Sequence, residues 1–212
     1  GLIDRVAAGF SIYRMADDPT LFPEPYPPRL LRRLPGLIER VDLVVATARR
    51  MVEKARAHRG RAGVLYLPNG VDYDHFAGDH AEPADLAAIP RPRVLYVGSL
   101  EPWLDTDAIA AAARAHPGFR FVIIGPVRTD LGPLRSLPNV EVLGPRPYAS
   151  VPAYMAHADV GIVPFRRSEA IQAVHPIKVY EYLAAGLPVV ATDWEELAAM
   201  DAPVERVDSA EA

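Results

Sequence analysis

Short apolar runs, most of them closed by glycine or proline, recur along the last two thirds of the chain and alternate with stretches of helical spacing. Arg93-Val94-Leu95-Tyr96-Val97-Gly98 predicts a buried strand, and the alanine-rich stretch from Asp105 to His116 predicts a helix after it. Phe119 to Gly125 repeats the strand pattern, as does Val140 to Gly144 beyond a Pro/Gly-broken stretch. Tyr148 to Ala158 predicts a helix and Asp159 to Pro164 a strand. A short helix then follows His175, stops at Gly186 and leads into a strand from Pro188 to Thr192, and a last strand precedes Asp208. Apolar strands alternating with helices imply a parallel sheet covered on both faces. The closing glycines and prolines let backbone approach a ligand at the carboxyl edge, where open α/β sheets bind.

The first ninety residues read differently. Ser11 to Asp18 is strand-like and enters a Pro-rich loop that runs through Pro28. Arg29 to Arg40 has helical spacing interrupted by Pro35. Val41 to Thr47 predicts a buried strand, Ala48 to Arg59 a basic helix, and Val64 to Asp72 a strand ending in an Asn-Gly turn. The Ala/Pro/Asp-rich stretch 77–92 reads as a linker. The predicted organisation is therefore α/β with two domains, 1–76 and 93–212. Because the chain begins at Gly1 and ends soon after a strand, it is expected to be a fragment whose first domain is incomplete.

Composition narrows the classes. The 212 residues are half hydrophobic and about a quarter charged, ordinary for a globular protein. A formal net charge of −4 argues against nucleic acid as the main partner. The absence of cysteine excludes disulfides and thiolate metal sites. No apolar run is long enough to predict a membrane-spanning helix. Basic residues are almost all arginine, with Lys54 and Lys178 the only lysines.

Lys178 stands out for that reason. It lies three residues before Glu181 and therefore on the same helix face. Both fall in the first two turns, where free backbone N–H groups and the positive dipole end favour an anion. A phosphate on Lys178, with a sugar hydroxyl on Glu181, suits a nucleotide-sugar site. The same spacing describes an ordinary solvent-facing ion pair, and spacing alone leaves both readings open. His175, just ahead of this helix, is a candidate contact to sugar or phosphate, or else a capping or surface residue. Gly98-Ser99 either offers backbone N–H groups to a phosphate or is a tight strand-to-loop turn.

Asp17-Asp18, at the end of a strand, is placed for a general base or for turn chemistry before Pro19. Arg49, Arg50, Arg56, His58, Arg59 and Arg61 form a basic surface, either simply solvated or set against anionic lipid headgroups. Pro102 breaks any dinucleotide fingerprint after Gly98, and no Walker lysine, zinc-protease spacing or nucleophile elbow occurs.

The ordered set Leu67-Pro68-Asn69-Gly70-Val71-Asp72, Val97-Gly98-Ser99, Ile124-Gly125-Pro126, Asn139 to Gly144 and Pro176 to Val190 resembles the GT-B glycosyltransferases. Within them it resembles the bacterial enzymes of exopolysaccharide and cell-surface glycan assembly. The resemblance implies two Rossmann-like domains facing a cleft, the C-terminal one holding a nucleoside diphosphate sugar. It implies Gly98 and Ser99 at the phosphates, Arg146 and Tyr148 bordering the base, Lys178 on the diphosphate and Glu181 on ribose or sugar hydroxyls. No metal or other cofactor is expected, because protein groups neutralise the leaving diphosphate in such enzymes.

Two departures bear on the chemistry. Retaining family-4 transferases carry a second glutamate eight positions before the Glu181 position, and Ala173 stands there. The usual Arg and Lys after the first C-terminal strand are replaced by Glu101-Pro102-Trp103-Leu104. Tyr13 to Asp17 resembles the segment bearing the catalytic aspartate of the inverting glucuronosyltransferase of xanthan assembly, which makes Asp17 the candidate base if the transfer inverts.

The expected function is transfer of a sugar from a nucleoside diphosphate to a glycan or lipid-linked acceptor. The expected setting is the cytoplasm, with peripheral contact at the inner membrane face. A nucleotide-sugar epimerase of the same fold and a non-catalytic nucleotide-sugar binding fragment are the alternatives.

Overall fold

The computed structural model describes residues 9–21 and 26–208. Residues 22–25 of the Pro-rich loop, the start at Gly1 and the end beyond Asp208 lie outside them. The chain divides into two compact units. The first takes the residues up to Asn69 together with Ser168–His175 and Glu195–Ala199, and the second takes the rest.

In the first unit, β1 (Ile12–Met15), β2 (Leu43–Ala46) and β3 (Val64–Tyr66) form a parallel sheet in that order. Met15, Ile38, Val44, Met51 and Val52 meet in one core where helices Leu34–Arg40 and Arg49–Arg59 cover the strands. The break in the first helical stretch falls at Arg32-Arg33, and Pro35 sits in the first turn of the second helix, where its missing N–H costs nothing. Helix Arg49–Arg59 takes its first-turn acceptor from elsewhere in the unit. The Glu196 carboxylate accepts the Arg49 N–H at 2.8 Å and the Tyr66 hydroxyl at 3.0 Å, and Glu196 is only 1% exposed.

The second unit is a six-stranded parallel sheet. Its strands are β4 (Arg93–Val97), β5 (Arg120–Ile124), β6 (Val140–Gly144), β7 (Val160–Val163), β8 (Val189–Thr192) and β9 (Val204–Val207), in the order β6-β5-β4-β7-β8-β9. Val94, Tyr96, Phe121 and Ile123 project from β4 and β5 into a core with Ile109, Ala110 and Ala113 of helix Thr106–Ala115. Asp105 starts that helix by accepting the Ala108 N–H at 3.0 Å. Of the stretch read as a linker, residues 84–87 form a helical turn with Leu86 fully buried. Glu82 and Asp85 in that stretch pair with Arg93 and Arg146. The expected helix from Tyr148 is a 3-10 turn, Tyr148–Ser150, followed by Val151–Ala156.

The α/β class with two parallel, Rossmann-like sheets is thus the one expected. Among the described residues no helix is long and apolar enough to cross a membrane.

Candidate functional site

The order of the second sheet creates the site. From β4 the chain moves outward through β5 to β6, then returns to place β7 on the other side of β4. The crevice at such a reversal, outside the carboxyl ends of the strands, is where α/β sheets bind ligands. Here β4 and β7 are paired only at Val94 with Val160 and Leu95 with Gly161. Beyond that point lies a pocket of about 210 Å³. Val97, Gly98 and Ser99 wall it from the end of β4, Val163 from the end of β7 with Phe165 just beyond, Glu101 and Trp103 from the loop after β4, and Lys178 from helix Ile177–Ala184.

Backbone crowding shapes the Gly98 wall. A Cβ at Gly125, whose φ is +147°, would stand 1.8 Å from the Gly98 carbonyl oxygen. Only glycine lets β5 close on the β4 turn in this way. Ser99 donates its hydroxyl to Glu101 at 2.5 Å, and Glu101 also faces Arg128 at 3.4 Å.

Lys178 donates to Glu181 at 2.6 Å. The pair is not the solvent-facing one that spacing allowed, since the two side chains are 26% and 7% exposed. The residue ahead of this helix, Pro176, provides no side-chain cap to its N–H groups. Tyr148 lies near Glu181. Partial desolvation, then the charges of Glu181 and Asp72, push the Tyr148 phenol above its ordinary pKa. Its ring is largely exposed and stacks on His75, centroids 4.9 Å apart, with Phe76 edge-on beneath. The turn carrying His75, Tyr73–Phe76, packs against helix Ile177–Ala184.

Arg146 is committed elsewhere: its guanidinium donates to Asp85 and the Leu143 carbonyl at 2.6 Å and to the Tyr154 hydroxyl at 2.9 Å. It thereby ties the loop after β6 to the helical turn Ala84–Ala87.

Two expected site residues belong to the first unit. His175 is buried, and its carbonyl accepts the Asn69 amide at 2.9 Å. It is therefore neither a surface residue nor the cap of the helix, a position Pro176 holds. Burial lowers its imidazole pKa, with Glu196 opposing.

At the end of β1 the neighbouring aspartates separate in role. Asp18 is buried, ion-paired to Lys54, and accepts the Thr20 N–H and hydroxyl at 3.0 and 2.6 Å. Burial would raise its carboxyl, but these bonds outweigh it and hold the group below the usual range. Asp17 stays accessible; surrounding protein raises its carboxyl, with Arg14 pulling partly back.

Gly98, Ser99 and Lys178 thus share one pocket, Glu181 is paired to Lys178, and Tyr148 feels the Glu181 charge. Sequence reasoning passed over Glu101 and Trp103 as pocket walls, His75 under Tyr148, and Tyr182 beneath the crevice. Trp103 beside an acid in a post-strand loop is the one signal that was there to be read. Among the described residues, no three His, Asp or Glu side chains cluster to hold a metal ion.

Residues 91–205 match the model of a family described as Glycosyl transferases group 1. A putative teichuronic acid biosynthesis glycosyltransferase of Bacillus subtilis, TuaH, is 34% identical over 176 residues, covering 79% of this chain and 44% of that protein. The fold is similar to that of HepE from Anabaena, solved with UDP and glucose (TM-score 0.69, 21% identity, 94% of this chain and 58% of that one). It is also similar to sucrose-phosphate synthase from Thermosynechococcus elongatus (TM-score 0.74, 20% identity, 100% and 59%). The chain therefore spans roughly half the length of the relatives it matches.

Proposed function

The chain belongs to the group 1 glycosyl transferases, and on that premise we propose that its second unit binds a nucleoside diphosphate sugar for transfer to a glycan or lipid-linked acceptor. The observation that carries this reading is the pocket at the sheet reversal, which Lys178 and the Gly98-Ser99 turn both line. In the proposed complex Lys178, the start of its helix and the Gly98-Ser99 backbone receive the diphosphate. Glu181 accepts ribose or sugar hydroxyls, and Tyr148 stacked on His75 offers an aromatic face to the base. These donors stabilise the charge that develops on the departing diphosphate, usually the largest electrostatic contribution to such a transfer. They do so without a bound metal.

UDP and glucose in HepE, and teichuronic acid in the name of the Bacillus relative, support a nucleotide-sugar donor and a bacterial surface-glycan product. Nothing in the family match favours an epimerase. In the transferase reading Asp17 deprotonates the acceptor hydroxyl and the transfer inverts, supported by an accessible carboxylate whose pKa is raised. The cytoplasmic setting stands with this reading, the exposed Arg56, His58 and Arg61 facing anionic lipid at the inner membrane face.

The test is thermal unfolding with UDP-, GDP- and dTDP-sugars in EDTA. A ligand at a hundred times its dissociation constant stabilises by about 2.7 kcal/mol. Absence of any shift, or a shift that needs magnesium, refutes the reading.

A further inference from the structure

Tyr182 carries no signal in the sequence beyond an apolar helix position, yet it is fully buried where β4 and β7 part. The Val97 N–H, beyond the last β4–β7 pair, donates to the Tyr182 phenol oxygen at 2.9 Å, and the phenol approaches the Leu95 carbonyl at 3.3 Å. The ring lies over Gly161 of β7, where a Cβ would come within 2.8 Å of ring carbons. The phenol is thus inserted into the seam, standing in for strand partners that β7 does not supply. Tyr182 is one helical turn beyond Lys178, and Val97 immediately precedes Gly98. The Tyr182 hydroxyl therefore joins the element carrying the pocket's cation to the end of β4, which leads directly into the Gly98-Ser99 turn.

We propose that Tyr182 is a positioning residue of the pocket, its hydroxyl fixing the Lys178 helix to the end of β4 so that ammonium and Gly98-Ser99 turn converge on one diphosphate. The role rests on the reading of the pocket as a nucleoside diphosphate site. Charge-assisted hydrogen bonds weaken steeply with misalignment, so a small shift of this helix loses phosphate affinity without loss of fold.

Tyr182→Phe keeps the ring over Gly161 and removes only the hydroxyl. Asn139→Ala is the stability control: Asn139 is buried in the same unit, donates to the Ala113, His116 and Phe119 carbonyls, and lines no part of the pocket. Both variants are titrated with UDP by calorimetry and followed by amide hydrogen exchange at Val97 to Ser99. Tyr182→Phe should weaken UDP binding about tenfold and speed that exchange about tenfold. Asn139→Ala, at a comparable loss of Tm, should leave both unchanged. Equal weakening by the two variants, or wild-type UDP affinity in Tyr182→Phe, overturns the positioning role. So does unchanged exchange at Val97 when UDP binding is intact in the wild type. If the wild type binds none of UDP, GDP and dTDP, the pocket reading falls and the positioning role with it.

Discussion

Replacing Lys178 by alanine removes the cation of the pocket and also leaves Glu181 without its 2.6 Å partner. Loss of a charge-assisted bond to a diphosphate costs about 1.5–3 kcal/mol, which is roughly a ten- to hundredfold rise in Kd for UDP. Glu181 adds to the loss, because its side chain is 7% exposed and, without Lys178, an uncompensated carboxylate faces the phosphates. Removing Glu181 alone should therefore split two ligands by sign. Glu181→Ala should free Lys178 and tighten inorganic pyrophosphate, while UDP, which would also lose the proposed ribose contact, should bind more weakly. The double variant should bind pyrophosphate more tightly than Lys178→Ala, with a coupling on the order of 0.5–3 kcal/mol. Isothermal titration in EDTA with both ligands measures all of this. Wild-type UDP affinity in Lys178→Ala would return the pair to an ordinary ion pair. Parallel changes for UDP and pyrophosphate in Glu181→Ala would remove Glu181 from the ribose.

Gly161→Ala places a methyl within 2.8 Å of the Tyr182 ring, and overpacking of this kind costs about 1–3 kcal/mol, read from urea unfolding; unchanged stability would show the ring is not confined there. Asp18, its carboxyl held below the ordinary value by Lys54 and Thr20, contributes stability that is full above the unfolded-state carboxylate pKa and is lost as pH falls through the folded-state value. Asp18→Asn should flatten that acid limb in melting curves taken from neutral to acid pH, and an unaltered limb refutes the assignment. Asp17→Asn should keep UDP affinity but lower sugar transfer by about 10²–10⁴-fold in the full-length protein; near-normal turnover, or a product that retains the donor's anomeric configuration, excludes the base role.

The strands were legible because a parallel sheet covered on both faces needs continuous apolar runs, and β4, β5 and β8 carry them almost without interruption. β3 is shorter than its apolar run: its neighbour β2 ends at Ala46, which pairs with Tyr66 and accepts the Leu67 N–H, and Pro68 beyond has no N–H to continue the ladder. One-turn helices such as Tyr73–Phe76 and Glu169–Gln172 are shorter than the window in which helical periodicity shows. Lys178 and Glu181 could be found because their relation is local. The Arg146 tie to Asp85 spans 61 positions and the Tyr182 bond to Val97 spans 85, and no spacing rule reaches that far. For the same reason Glu196 looked like one acid among many, although its carboxylate accepts the first N–H of a helix 147 positions earlier.

The use of lysine at the pocket follows from how this chain spends its arginines. In the second unit Arg91, Arg93, Arg146, Arg166, Arg167 and Arg206 all stand in ion pairs with Asp or Glu. A planar guanidinium suits that task, since its forked donors hold a carboxylate and a neighbouring carbonyl at once, as Arg146 holds Asp85 and the Leu143 carbonyl. The pocket contains two carboxylates of its own, Glu101 and Glu181, within or beside its walls. An arginine there would be claimed by them in a geometry that a diphosphate must break twice. The Lys178 ammonium donates to Glu181 and has three donors on a flexible stem, so in the proposed complex it turns to a phosphate while Glu181 takes up a hydroxyl. Lys178→Arg should therefore weaken UDP binding although the charge is kept, with the loss smaller than in Lys178→Ala and accompanied by a rise in Tm from the tighter pair. Equal or stronger UDP binding in Lys178→Arg would show that charge alone, and not its exchangeability, is what the pocket requires.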